Sequence, residues 1–119
     1  MKATRTGHRF EEIQVWQKAK LLSLQIYKNF SDIKDYGFRD QVQRAAVSVM
    51  NNIAEGYERS STNEFKRFIL IAKGSAGEVR SMLILAKEMG YISNGTFEEL
   101  TQLCIEISKM LAGLKRSLG

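Results

Sequence analysis

Apolar residues recur along this chain in steps of three and four, and the rhythm lapses in only a few short polar stretches. That spacing places one face of each segment in a core and predicts four amphipathic helices. Over residues 11–31, Val15, Ala19, Leu22, Ile26 and Phe30 carry the pattern, with Trp16 and Tyr27 alongside. Glu11 and Glu12 fall in its first turn, where the positive end of the helix dipole favours acidic groups. A polar break over 32–37 precedes a second run through Phe38, Val42, Ala45, Val49, Ile53 and Tyr57. Its small residues, Ala45, Ala46, Ser48 and Ala54, permit close approach of another helix.

Ser61 and Glu64 have the spacing of a capping box, which opens a third helix over 62–89. Its inner face is Phe65, Phe68, Ile69, Ala72, Ala76, Val79, Met82, Leu83, Ala86 and Met89. Gly90 suits a left-handed cap, with Tyr91 or Ile92 folding back. Thr96 and Glu99 make a second capping box, followed by Phe97, Leu100, Cys104, Ile107, Leu111, Leu114 and Leu118. Four such helices with short connections form an antiparallel up-down-up-down four-helix bundle, because short loops force neighbours to run in opposite directions. The expected organisation is all-α, one domain over 11–118 behind a flexible lead-in over 1–10.

The third helix carries more than a core face. Lys66, Lys73, Arg80 and Lys87 recur every seven residues and line up as a basic ridge, about 30 Å long at 1.5 Å per residue. Arg67 and Arg59 lie near its N-terminal end. Leu70, Gly77 and Ile84 recur with the same period on the outward side, and Ile71 and Leu85 widen that arc. A solvated bundle face needs neither apolar side chains nor a line of one charge. The outward residues therefore predict a homo-oligomer interface, and the ridge predicts contact with RNA or DNA phosphates. The plainer alternatives are ordinary surface aliphatics and lysine stems covering the edge of the core.

Composition supports the helical reading and removes several functions. The chain has 119 residues and no proline, and 44% of it is apolar, enough for one globular core. Net charge is +5, with ten basic against seven acidic groups in residues 1–60 and eight against six in the remainder, so no basic tail separates off. Residues 1–9 are polar and basic and resemble no secretory signal, and the apolar runs are too short to cross a bilayer. A single cysteine, Cys104, precludes an intramolecular disulfide. These features predict a cytoplasmic protein with no membrane partner.

Catalytic chemistry finds no candidate. A di-iron bundle needs Glu-x-x-His pairs, and the one histidine, His8, stands in the lead-in. Cys104 lies on the core stripe of helix four, with no histidine placed to activate it. Gly74 and Gly77 sit mid-helix and form no phosphate-cradling loop; close helix approach explains them better. Trp16 reads as a packing aromatic, and Glu55 and Glu58 as ion-pair partners for Arg59 or for helix three. No catalytic residue, metal or cofactor is expected.

Several motifs in one order then resemble a known family. They are Val15-Trp16-Gln17-Lys18-Ala19, Val42-Gln43-Arg44-Ala45-Ala46-Val47-Ser48-Val49, Asn52-Ile53-Ala54-Glu55-Gly56-Tyr57, Asn63-Glu64-Phe65, Ala72-Lys73-Gly74-Ser75 with Glu78, and Leu85-Ala86-Lys87-Glu88-Met89-Gly90-Tyr91-Ile92. Over residues 9–118 the chain resembles the four-helix-bundle family of 23S rRNA intervening-sequence proteins. Family members often carry a proline in the middle of helix two, where this chain has Met50. The resemblance implies a bacterial product of rRNA-gene insertions with no established enzymatic activity. A related branch, the accessory variability protein of diversity-generating retroelements, implies a basic homopentamer that binds nucleic acid and a reverse transcriptase. The two functions expected are thus a nucleic-acid-binding homo-oligomer, or a scaffold whose basic surface meets an acidic protein such as a reverse transcriptase.

Overall fold

The computed structural model describes residues 9–119. A short 3-10 turn, Phe10–Glu12, leads into α1 (Gln14–Phe30), α2 (Tyr36–Glu58), α3 (Thr62–Glu88) and α4 (Asn94–Ser117). Each helix packs on its sequence neighbour, and α1 closes against α4, while α1 and α3 stand diagonally opposite. The result is an antiparallel four-helix bundle of 47 × 21 × 20 Å. Residues 1–8 of the expected lead-in, His8 included, lie outside the described residues.

The predicted stripes form the core. Leu22, Ile26, Phe30, Val49, Ile53, Ile69, Val79, Leu83, Ile107 and Leu111 are fully buried. Burial of each such side chain contributes about 1.5–3 kcal/mol relative to exposure, which is the main term holding the helices together. The seam between α2 and α3 is the most extensive, and the seam between α1 and α4 the slightest of the four. Small residues explain the first. Ala45, Ala46, Ala72 and Ala76 are all buried, and Ser48 Oγ lies 2.8 Å from Ser75 Oγ across the seam.

Local chemistry sets the helix ends, in three places differently from the sequence reading. Ile13 is extended, so α1 begins at Gln14, and Glu11 and Glu12 occupy the 3-10 turn rather than the first α-turn. Asp35 caps α2, its side chain accepting from Phe38 N–H at 3.2 Å; the helix starts inside the expected polar break. At α4 the cap is Ser93, whose hydroxyl accepts from Thr96 N–H at 3.1 Å, so Thr96 is an interior residue and not the cap. The third helix keeps its expected boundary, with Ser61 Oγ accepting from Glu64 N–H at 3.0 Å. Gly90 takes φ +75, and Tyr91 N–H donates to the Ala86 carbonyl at 2.8 Å, a Schellman closure. The closure turns Met89 outward: it is half exposed rather than part of the inner face. α2 runs unbroken through Met50.

Candidate nucleic-acid interface

In α3 the core direction is set by Ala72, Ala76, Val79 and Leu83, all fully buried. At 100° per residue the ridge cations then fall on the flank facing α4. Contacts confirm that side. Lys66 Nζ donates to the Gly119 carbonyl beyond α4, and Lys87 Nζ sits 4.7 Å from the centre of the Phe97 ring. Arg80 lies close enough to Cys104 to favour its thiolate, against the larger effect of burial, which pushes that thiol up to about 12. The ridge therefore runs along the α3/α4 seam.

α4 adds cations that the sequence reading missed. Lys73, Lys115 and Arg116 line one shallow hollow of about 210 Å³, floored by Ile69 and Leu111. The antiparallel pairing of α3 and α4 was the available signal: it brings the end of α4 beside the first half of α3. Among the described residues, no ion pair joins Lys73, Arg80, Lys87, Lys115 or Arg116 to a carboxylate. The described ion pairs engage Arg9, Lys18, Arg39 and Arg59 instead. Glu78, a possible neutraliser, turns toward α2, where it accepts from Gln41 Nε2 at 3.4 Å.

Arg59 and Arg67 do not extend this line. Arg59 pairs with Glu55 at 2.6 Å and Glu64 at 3.6 Å, and its hydrogen bond to Glu55 raises its pKa. Its guanidinium lies 4.9 Å from the Phe68 ring centre, and that of Arg67 lies 4.8 Å from it. Phe68 in turn presses on Gly56 of α2, so both arginines belong to the α2/α3 side. The Glu55–Arg59 pair is the structural ion pair the sequence suggests.

On the outward face of α3, Leu70, Ile71, Ile84 and Leu85 are 52%, 40%, 51% and 49% exposed. Between these two pairs lie Gly74, Gly77 and Ser81, all exposed. Outside its own helix backbone and chain neighbours, a Cβ at Gly74 or Gly77 would meet no atom of the described residues within 4 Å, so the close approach expected at these glycines does not occur among them. Each costs roughly 0.5–1 kcal/mol relative to alanine in a helix. Trp16 packs edge-on against Phe10 with ring centres 5.2 Å apart, as a packing aromatic does. Among the described residues no cluster of His, Cys, Asp or Glu could hold a metal ion, and no helix is long and apolar enough to cross a membrane.

Comparison with known proteins places the fold in context. A solved structure of a protein of unknown function, from the S23 ribosomal protein family of Bacteroides thetaiotaomicron VPI-5482, is 26% identical. It superposes with a TM-score of 0.80, covering 85% of this chain and 97% of that one. No curated protein matches the chain. The family model for the 23S rRNA-intervening sequence protein matches residues 11–113, and the chain belongs to that family.

Proposed function

We propose that this protein is a non-enzymatic, homo-oligomeric four-helix bundle of the bacterial cytoplasm that binds the backbone of RNA or DNA along its α3/α4 seam. The observation that carries the reading is the hollow where Lys73, Lys115 and Arg116 converge, continuous with Arg80 and Lys87 and without a carboxylate partner among the described residues. Like charges gathered this closely repel one another, and a polyanion relieves that repulsion while releasing its own counterions. Lys66 to Lys87 spans about 32 Å of helix, long enough to follow several phosphates. The exposed aliphatics of α3 support self-association, and the family resemblance supports a pentamer.

One observation favours a second reading. Leu70 lies beside Lys73 at the rim of the same hollow, and an apolar centre with a basic rim also suits an acidic protein surface, such as that of a reverse transcriptase. Binding of structured RNA across a salt series separates the two. Lys73→Glu with Arg80→Glu should abolish binding, and Lys115→Glu with Arg116→Glu should weaken it at least ten-fold. No binding by the wild type at low salt would leave the protein-scaffold reading in its place.

A further inference from the structure

The α1/α4 seam is the slightest of the bundle, and it leaves an open groove of about 660 Å³. Leu21, Leu100 and Leu103 give it an apolar floor, and Glu98, Glu99 and Glu106 line it; among the described residues no basic side chain does. Glu106 meets Lys18 of α1 at 3.3 Å, whereas no described ion pair engages Glu98 or Glu99. The outward face of α3 has the complementary character. Leu70 is flanked by Lys66, Arg67 and Lys73 at helical spacing, and Ile84 by Arg80 and Lys87. Gly74 and Gly77 open a saddle between the two aliphatic pairs that no described residue fills.

We infer that the α1/α4 groove receives the outward face of α3 from a second copy of this chain. The inference rests on the homo-oligomer reading and specifies how its subunits meet. Apolar residues would meet at the centre, acid would face Lys66 and Arg67 at the rim and leave Lys73, Arg80 and Lys87 open on the α3/α4 side, and the glycine saddle would let the neighbouring helix come close. α1 and α3 are diagonal in the bundle, so no subunit can dock its own α3 face into its own groove. The contact joins two different surfaces, which makes it heterologous: each subunit gives a face to one neighbour and a groove to the next, as in a closed ring. Lys73 and Arg80 belong to the nucleic-acid reading, so the test uses other residues.

Light scattering of the full chain measures this directly. A face variant, Leu70→Asp with Ile84→Asp, and a groove variant, Leu21→Lys with Glu98→Lys and Glu99→Lys, change only exposed positions. Wild type should assemble, and each variant alone should be a folded monomer of about 13.5 kDa. An equimolar mixture should give a one-to-one dimer and nothing larger, because one intact face and one intact groove remain. The milder Ile84→Ala and Leu21→Ala should each raise the dissociation constant at least ten-fold, which keeps the test open if a charged variant fails to fold. A groove variant that assembles like wild type overturns this pairing but leaves self-association standing. Two monomeric variants that do not pair when mixed also overturn it. A monomeric wild type overturns both.

Discussion

Glycines show at single residues how burial decides what a side chain would do. At Gly56 a Cβ would lie 2.6 Å from Phe68 Cβ, a contact that neither backbone can yield cheaply. Overpacking of about 1–3 kcal/mol then exceeds the ~1 kcal/mol that alanine gains in a helix. Gly56→Ala should therefore lower the melting temperature, and Gly56→Val should lower it further. Gly77→Ala meets open space in the subunit and should raise the melting temperature of the monomer while weakening assembly. Thermal melts at two protein concentrations check both; a stabilised Gly56→Ala would contradict the packing at the α2/α3 seam. Cys104 is fully buried, and burial holds its thiol near 12 rather than the ordinary 9.0. The unfolded chain ionises this thiol first, so its contribution to stability is complete below about pH 9 and is lost as pH rises toward 12. Cys104→Ala should flatten that alkaline decline in a chemical-denaturation series. Ellman's reagent should leave the native thiol unmodified at pH 8 and label it on unfolding.

Helix starts followed the capping-box spacing at α3 and departed from it at α4. Of the four candidate caps Ser60, Ser61, Thr62 and Asn63, only Ser61 has a glutamate three residues on, and Ser61 caps α3 as that spacing implies. Ahead of α4, Ser93 and Thr96 are both good caps three residues apart, and the chain takes the earlier, with Ser93 Oγ also donating to Thr96 Oγ1 at 3.1 Å. Ser93→Ala should accordingly cost about 1 kcal/mol in denaturant unfolding and Thr96→Ala only a few tenths; the reverse order would return the cap to Thr96. Asp35 holds two elements at once: Oδ1 accepts from Phe38 N–H, and Oδ2 accepts from the Tyr91 hydroxyl at 2.8 Å. That second bond joins residues 56 apart in sequence and follows from the fold, not from local pattern. The same limit governs the basic surface. Heptad spacing shows Lys66, Lys73, Arg80 and Lys87 as a line on one helix. Only the pairing of α3 with α4 brings Lys115 and Arg116 to it, and only the turn between α2 and α3 brings Arg59 to Phe68, whereas Arg67 meets that ring as its immediate neighbour on the same helix.

For the molecule as a whole, the core uses one face of α3 and leaves two features outside it. The aliphatic arc from Leu70 to Leu85 is left about half exposed, and Lys73, Arg80, Lys87, Lys115 and Arg116 are left without an ion pair among the described residues. Self-association would cover the first and a polyanion the second. The proposed binding is electrostatic and spread over several phosphates, so its signature is the salt dependence more than the affinity at any one condition. The most direct test is the slope of log binding constant against log salt for structured RNA, measured for wild type and for the neutralising variant Lys73→Gln with Arg80→Gln. A steep negative slope should appear for wild type, and in the variant its magnitude should fall by about 2, one for each lost phosphate contact. Equal slopes in the two proteins, or no wild-type binding at low salt, would contradict the seam as a nucleic-acid surface.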